Sequence, residues 1–175
     1  MKNTIQTSII FLLMAFLFSC QNNPSQSPEN KPSAATLADE PETKAQQTAC
    51  YQGTENGTNQ ISLQIIYDGD QVNGYLTHYN PNGHSILGQF TGTKKEDIIL
   101  ADCQQLFEGA TMTSEISFKI DGENIYQGSG EMTESSDRLI FKDKSNIQYN
   151  QLLTSTDCEQ IAEHIQWSKE AIAEF

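Results

Sequence analysis

The chain predicts a mainly β domain, a small antiparallel barrel of about eight strands carrying a C-terminal α-helix. Three observations lead there. Asn56-Gly57, Asp68-Gly69, Asn82-Gly83 and Asp121-Gly122 are each flanked by strand-like sequence, and Asn-Gly or Asp-Gly is the preferred pair where a two-residue turn needs both central residues at positive φ. Between these turns the apolar period is two, as in Ile61, Leu63 and Ile65, or Ile116, Phe118 and Ile120. At the end of the chain the period becomes helical.

Taken in order, the strands are expected at Ala49 to Thr54, Gln60 to Tyr67, Gln71 to Tyr79 and Ser85 to Gly92. Four more follow at Asp97 to Cys103, Met112 to Asp121, Asn124 to Met132 and Arg138 to Lys142. In the second strand Ser62 and Gln64 alternate with the apolar residues, and in the sixth Ser117 and Lys119 do so, which buries one face of each. Eight such strands would leave two exposed edges in an open sheet, and closure into a barrel removes them. Gly74, Gly88, Gly128 and Gly130 supply the bends a small barrel requires. Thr156 and Glu159 match a capping box, and Ile161, Ile165, Ile172 and Phe175 form one stripe of a helix from about Asp157 to Glu174. That stripe is expected to pack on the barrel.

Ahead of the domain, the lone early charge of Lys2 precedes an apolar run from Ile9 to Phe18 and the small residue Ser19. A charged start, a short apolar middle and a small residue before the cut mark a secretory leader, and this run is too short for a span that needs ~20 residues. Leu17-Phe18-Ser19-Cys20 resembles a bacterial lipobox, which implies cleavage after residue 19 and lipidation of Cys20. Two or more acyl chains at ~0.8 kcal/mol per buried methylene make such an anchor stable. Gln21 rather than Asp follows Cys20, and by resemblance to sorting signals of diderm bacteria this favours the outer membrane, facing the periplasm. Residues 21 to 47 hold four of the five prolines and a single large apolar residue, Leu37, a composition that solvates rather than packs. As a flexible linker it would span ~30 Å. The chain thus divides into a signal peptide (1–19), a lipidated cysteine with linker (20–47) and one barrel domain (48–175).

Of the chain's 23 Asp plus Glu, all but Glu29, Asp39, Glu40 and Glu42 lie in that domain, against seven of the ten Lys plus Arg, so its formal charge is about −12. Such a field repels phosphate backbones and attracts cations and basic proteins, which sets nucleic acid aside as a partner.

Once Cys20 is lipidated, three cysteines remain, and two can pair in an oxidising compartment. Cys50 opens the first strand and Cys158 lies in the first turn of the helix, so the expected bridge is Cys50 to Cys158, with a bridge through Cys103 as the alternative. No Cys-x-x-Cys is present, and no cofactor or metal is expected. His78 and His84 flank the Asn82-Gly83 turn without a carboxylate at ligand-like spacing. Asp68-Gly69-Asp70 starts like a calcium loop, but Val72 stands where an oxygen ligand is needed. There is no Gly-x-Ser-x-Gly, Walker loop or His-Glu-x-x-His. An enzymatic alternative, a hydrolase, rests on carboxylates such as Asp102 and Glu108 converging in the fold.

Cys50-Tyr51-Gln52-Gly53, Val72-Asn73-Gly74-Tyr75-Leu76, Gly88-Gln89-Phe90-Thr91-Gly92, Ala101-Asp102, Phe107-Glu108-Gly109, Glu115-Ile116-Ser117-Phe118-Lys119 and Gly128-Ser129-Gly130 together resemble a family of small lipoproteins of Bacteroidota-type bacteria. The resemblance implies a lipocalin-like barrel in the cell envelope and carries no activity; Cys103 stands where that pattern has an aromatic. More loosely, the chain resembles the membrane-bound inhibitors of C-type lysozyme. Their inhibitory surface would place Ser129, within Gly128-Ser129-Gly130, beside Lys142, although Glu131-Met132 replaces a basic residue and an aromatic. The expectation is therefore a non-enzymatic envelope lipoprotein, held to the membrane by its lipid, that binds a small apolar ligand or an envelope protein. A lipocalin-type binder needs a cavity lined by Leu63, Ile65, Phe90, Ile116 and Phe118; an inhibitor of a cationic hydrolase needs a filled barrel and an exposed loop.

Overall fold

The computed structural model describes residues 46–174. Cys20, the leader, most of the linker and Phe175 lie outside the described residues. Ten strands follow in order: β1 (Gln47–Glu55), β2 (Asn59–Asp68), β3 (Gln71–Tyr79), β4 (Ile86–Lys95), β5 (Ile98–Phe107), β6 (Ala110–Asp121), β7 (Asn124–Ser129), β8 (Met132–Ser135), β9 (Arg138–Phe141) and β10 (Gln148–Ser155). Short 3-10 turns occupy Lys144–Asn146 and Cys158–Ile161, and helix α1 spans Ala162–Ala173. Strands β1 to β7 and β10 close an antiparallel eight-stranded barrel, in which β5 pairs β6 and β10 returns to β1. β8 and β9 form an accessory hairpin joined to β6 by a short parallel pairing, Thr113 with Arg138 and Ser114 with Leu139.

Alternation fills the barrel. Ile61, Leu63 and Ile65 of β2, Phe90 of β4, Ile99 and Cys103 of β5, Phe118 of β6, Ile125 of β7 and Leu153 of β10 are all buried to 1 % exposure or less. Each such aliphatic or aromatic side chain contributes roughly 1.5–3 kcal/mol by leaving water. Phe90 reaches across the centre to Phe118, with ring centroids 6.0 Å apart. Gly74 makes room for it: a Cβ there would sit 2.7 Å from Phe90 Cζ and 1.9 Å from the Gln64 carbonyl oxygen. Gly88 likewise clears space for the Cys103 sulfur, 2.8 Å from where its Cβ would be.

The outward face of the same strands receives the helix. Ile161 and Ile165 pack with Cys50, and Cys50 is bridged to Cys158, the expected disulfide, with Cα atoms 5.2 Å apart. Cys103 is free and buried, and burial pushes its thiol pKa up to about 12, so it is an inert core residue. Ser168, buried between Ile165 and Ile172, shares a 2.7 Å hydrogen bond with Thr77 on β3. Lys169 lies over the Tyr75 ring at 5.2 Å.

Several expectations are corrected. The strand expected at Asn124 to Met132 breaks after Ser129, and Gly130 lies outside both β7 and β8. Arg138 to Lys142 is not the eighth barrel strand; β10 is, and β9 belongs to the accessory hairpin. The capping box does not form. Thr156 Oγ1 donates to Gln160 Oε1 instead, at 2.7 Å, while the bridged Cys158 sits in a 3-10 turn and α1 starts only at Ala162. Asn82-Gly83 lies within the longer connection between Tyr79 and Ile86, and Asp68 and Asp121 end their strands so that glycine takes the first turn position, at φ 62° in each case. Asn56-Gly57 (52° and 76°), between the paired strands β1 and β2, does have both residues at positive φ as expected, and so does Glu108-Gly109 (52° and 78°) between β5 and β6.

Candidate functional site

On β1 and β2, the alternation that sends Tyr51, Ile61 and Leu63 inward sends Gln52, Thr54, Gln60 and Ser62 outward, beside the start of the helix. The disulfide holds the 3-10 turn against β1, as does a hydrogen bond from the Thr156 amide to the Cys50 carbonyl, at 2.9 Å. Between these walls lies a cleft of about 430 Å³, lined by those four side chains together with Gln160, Ile161 and His164. Gln52 Nε2 donates to Gln160 Oε1 at 3.4 Å, tying one wall to the other.

His164 sits at the cleft's inner corner. Its Nδ1 shares a 2.8 Å hydrogen bond with Ser62 Oγ, and its carbonyl accepts from Thr77 Oγ1 at 2.9 Å. The ring packs between Tyr79 and Trp167, with centroids 4.9 and 5.1 Å away, and those two rings are 5.6 Å from each other. Burial lowers the imidazole pKa, with Glu163 pulling the other way, so the ring is neutral at pH 7. The cleft therefore offers three carboxamides and the Thr54 hydroxyl, with the mutually bonded Ser62 and neutral His164 at its inner corner, beside an aromatic cluster. None of its lining side chains carries a formal charge.

A serine beside a histidine suggests a nucleophile and its base. Ser62, however, is 2 % exposed in mid-strand, and among the described residues no carboxylate bonds the other ring nitrogen of His164. The pair therefore anchors the helix to β2.

A second concavity, of about 270 Å³, opens at the barrel end opposite the entry of the chain at Gln47, among Glu55, His78, Gln127, Gly128, Ser129, Asn150 and Gln151. His78 Nδ1 lies 3.8 Å from Glu55 Oε2. Desolvation lowers the His78 pKa, and Glu55 partly offsets that effect.

The residues singled out by sequence are scattered. Ser129 borders the second concavity and donates to the Gln148 carbonyl at 3.4 Å, whereas Lys142 is ion-paired with Glu131 at 2.7 Å. Asp102 and Glu108 do not converge: Asp102 pairs with Arg138 of the accessory hairpin, and Glu108, in the β5–β6 turn, lies 3.4 Å from exposed His84. Among the described residues no three His, Cys, Asp or Glu side chains gather as a metal cluster. Leu63, Ile65, Phe90 and Phe118 are at most 1 % exposed and Ile116 is 6 % exposed, so the barrel centre has no water-sized space beside them. Sequence reasoning missed the cleft residues Gln52, Gln60, Ser62 and Gln160. For the three on β1 and β2 the signal was the outward half of the alternation, where uncharged amides and hydroxyls stand; no local pattern marked Gln160.

Compared with protein-family models, curated proteins and solved structures, the chain has no match.

Proposed function

We propose that this chain is a non-enzymatic cell-envelope lipoprotein, tethered through Cys20 to the periplasmic side of the outer membrane, whose barrel domain binds a short neutral saccharide in the cleft beside the helix. The observation that carries the reading is the uncharged lining of that cleft in a protein of net charge −13. A site for an ion would hold a countercharge, and a site for an apolar molecule would be mostly apolar. Carboxamides and hydroxyls, each able to donate and accept, match the alternating hydroxyls of a sugar. The half-buried Tyr79 and Trp167 rings beside His164 supply a surface for its apolar face.

This reading moves the ligand out of the packed barrel centre and onto its flank. The inhibitor alternative has less support, because the Lys142 ammonium is already held by Glu131 and the Ser129 hydroxyl by a backbone carbonyl. The anchor and the cleft are tested separately. Cys20→Ala should release the protein from the membrane fraction and abolish palmitate labelling; labelling that persists in the variant refutes the anchor. Crystals of the protein soaked with N,N′-diacetylchitobiose or cellobiose should show the sugar against Gln60 and Gln160, and an empty cleft with both refutes the ligand.

A further inference from the structure

The far end of the barrel is built differently from its flank. Strands β7 and β10 pair with each other along most of their length, but the ribbon they form is joined to the rest of the barrel by short seams. β10 pairs β1 only through Tyr51 with Ser155 and Gln52 with Thr154, and β7 pairs β6 only from Phe118 with Gln127 to Asp121 with Asn124. Beyond those pairs the ladder pairing to β1 and β6 stops, and the 270 Å³ mouth described above lies at that end of the barrel.

Inward positions are polar here. Gln127 lies cross-strand from the inward Phe118 and from Gln151, and its side-chain carbonyl Oε1 is buried with no hydrogen-bond partner. Burying such an oxygen unpaired costs about 1–3 kcal/mol, and an orphan of this kind in a folded protein calls for an account. The Gln151 amide nitrogen is occupied, donating to the Thr54 carbonyl at 3.1 Å and the Leu152 carbonyl at 3.4 Å, which leaves the oxygen of this lining residue as the group free to accept. Glu55 adds a half-exposed carboxylate. The carboxamide oxygens of Gln127 and Gln151 and the Glu55 carboxylate thus line the mouth, among the amides of Gln127 and Asn150 and the Ser129 hydroxyl, and a donor-rich cation complements these three acceptors.

We propose that the barrel mouth is a second binding site, distinct from the saccharide cleft, that takes an alkylammonium group through Glu55 and the carbonyls of Gln127 and Gln151. The group would place one N–H on the Glu55 carboxylate and another on Gln127 Oε1, which is then no longer orphaned. Neutral His78 borders the carboxylate without competing for it as a cation. The site does not depend on the cleft being correctly assigned, since the two share no lining residue.

The test uses the full chain in non-ionic micelles and follows the ring resonances of His78 by NMR. N-acetyl-lysine amide and n-butylammonium are the probes, and N-acetyl-norleucine amide is the neutral isostere. Saturable shifts with the two cations and none with the norleucine compound are expected. Binding that is at least tenfold tighter for the lysine compound identifies a protein side chain as the source; equal binding identifies a free amine. Glu55→Gln should weaken the cations tenfold or more. Gln127→Leu should do likewise while leaving the thermal midpoint unchanged or raised, since it removes an unpartnered buried carbonyl. Equal shifts from norleucine amide, no saturable shift, or a lowered midpoint in Gln127→Leu that reveals an existing partner such as a fixed water, would each overturn the proposal.

Discussion

Removing the Cys50–Cys158 bridge tests how the helix and barrel are held as one unit. The two cysteines are 108 residues apart in sequence, so the bridge closes nearly the whole domain into a loop. In the chain-entropy description a loop of that length loses about 16 cal/mol/K in the unfolded state, or about 5 kcal/mol at 25 °C. A domain of this size typically has only ~5–15 kcal/mol in total, so reduction should remove a large part of its stability. The assay is urea unfolding of the oxidised protein, the reduced protein and Cys50→Ala/Cys158→Ala. The reduced protein should lose about 4–5 kcal/mol, with a larger m-value because the freed unfolded chain exposes more surface. The double alanine variant should lose slightly more, since it also removes two sulfurs packed near Ile161 and Ile165. A loss below about 1 kcal/mol on reduction would refute the argument that the bridge acts by constraining the unfolded chain.

Other consequences can be checked alongside. Phe90→Ala, at a 1 % exposed position against Phe118, should cost about 3–5 kcal/mol in the same urea assay. Glu115 is buried, accepting from the Phe141 amide at 3.1 Å and from Lys144 Nζ at 2.7 Å; Glu115→Ala should raise hydrogen exchange across residues 132–141 while the barrel strands stay protected. Because burial lowers the His78 pKa from its usual 6.5, the unfolded chain takes up a proton just below that pH which the folded chain refuses. Stability is therefore full above that pH and should fall on acidification by up to about 1.4 kcal/mol per pH unit until the folded pKa is passed. His164 acts in the same direction, and His78→Gln should flatten the slope measured by denaturation between neutral and mildly acidic pH.

Where alternation was strong, sequence was enough. Ile61-x-Leu63-x-Ile65 and Ile116-x-Phe118 define inward faces that the barrel adopts without exception. β10 was illegible for a physical reason: only Leu153 of its eight residues is fully buried, Gln151 points inward as a polar residue, and Leu152 is exposed. A register shift between Tyr149 and Gln151 further disrupts the period of two. The strand expected at Arg138 to Lys142 is present as β9, but its place in an accessory hairpin escaped notice, because the attachment depends on a two-residue pairing with β6 and on long-range partners, Arg138 with Asp102 and Phe141 with Glu115, which no local pattern announces. The cleft was half legible. Its strand residues follow from parity once β1 and β2 are placed, but Gln160 and His164 join them only because the disulfide brings the chain's end back to its beginning.

The most direct test of the saccharide reading is a titration followed through Trp167, the chain's single tryptophan, whose ring lies 5.1 Å from the cleft's His164. Neutral oligosaccharides added to the full protein should change its emission saturably, with an affinity that is the same at low and high salt, because no charge is involved. Gln60→Ala should weaken that affinity at least tenfold while leaving the melting temperature in place. If no neutral sugar produces a saturable change, or if only charged ligands do so and salt erases the effect, the cleft is not a saccharide site and the central claim fails.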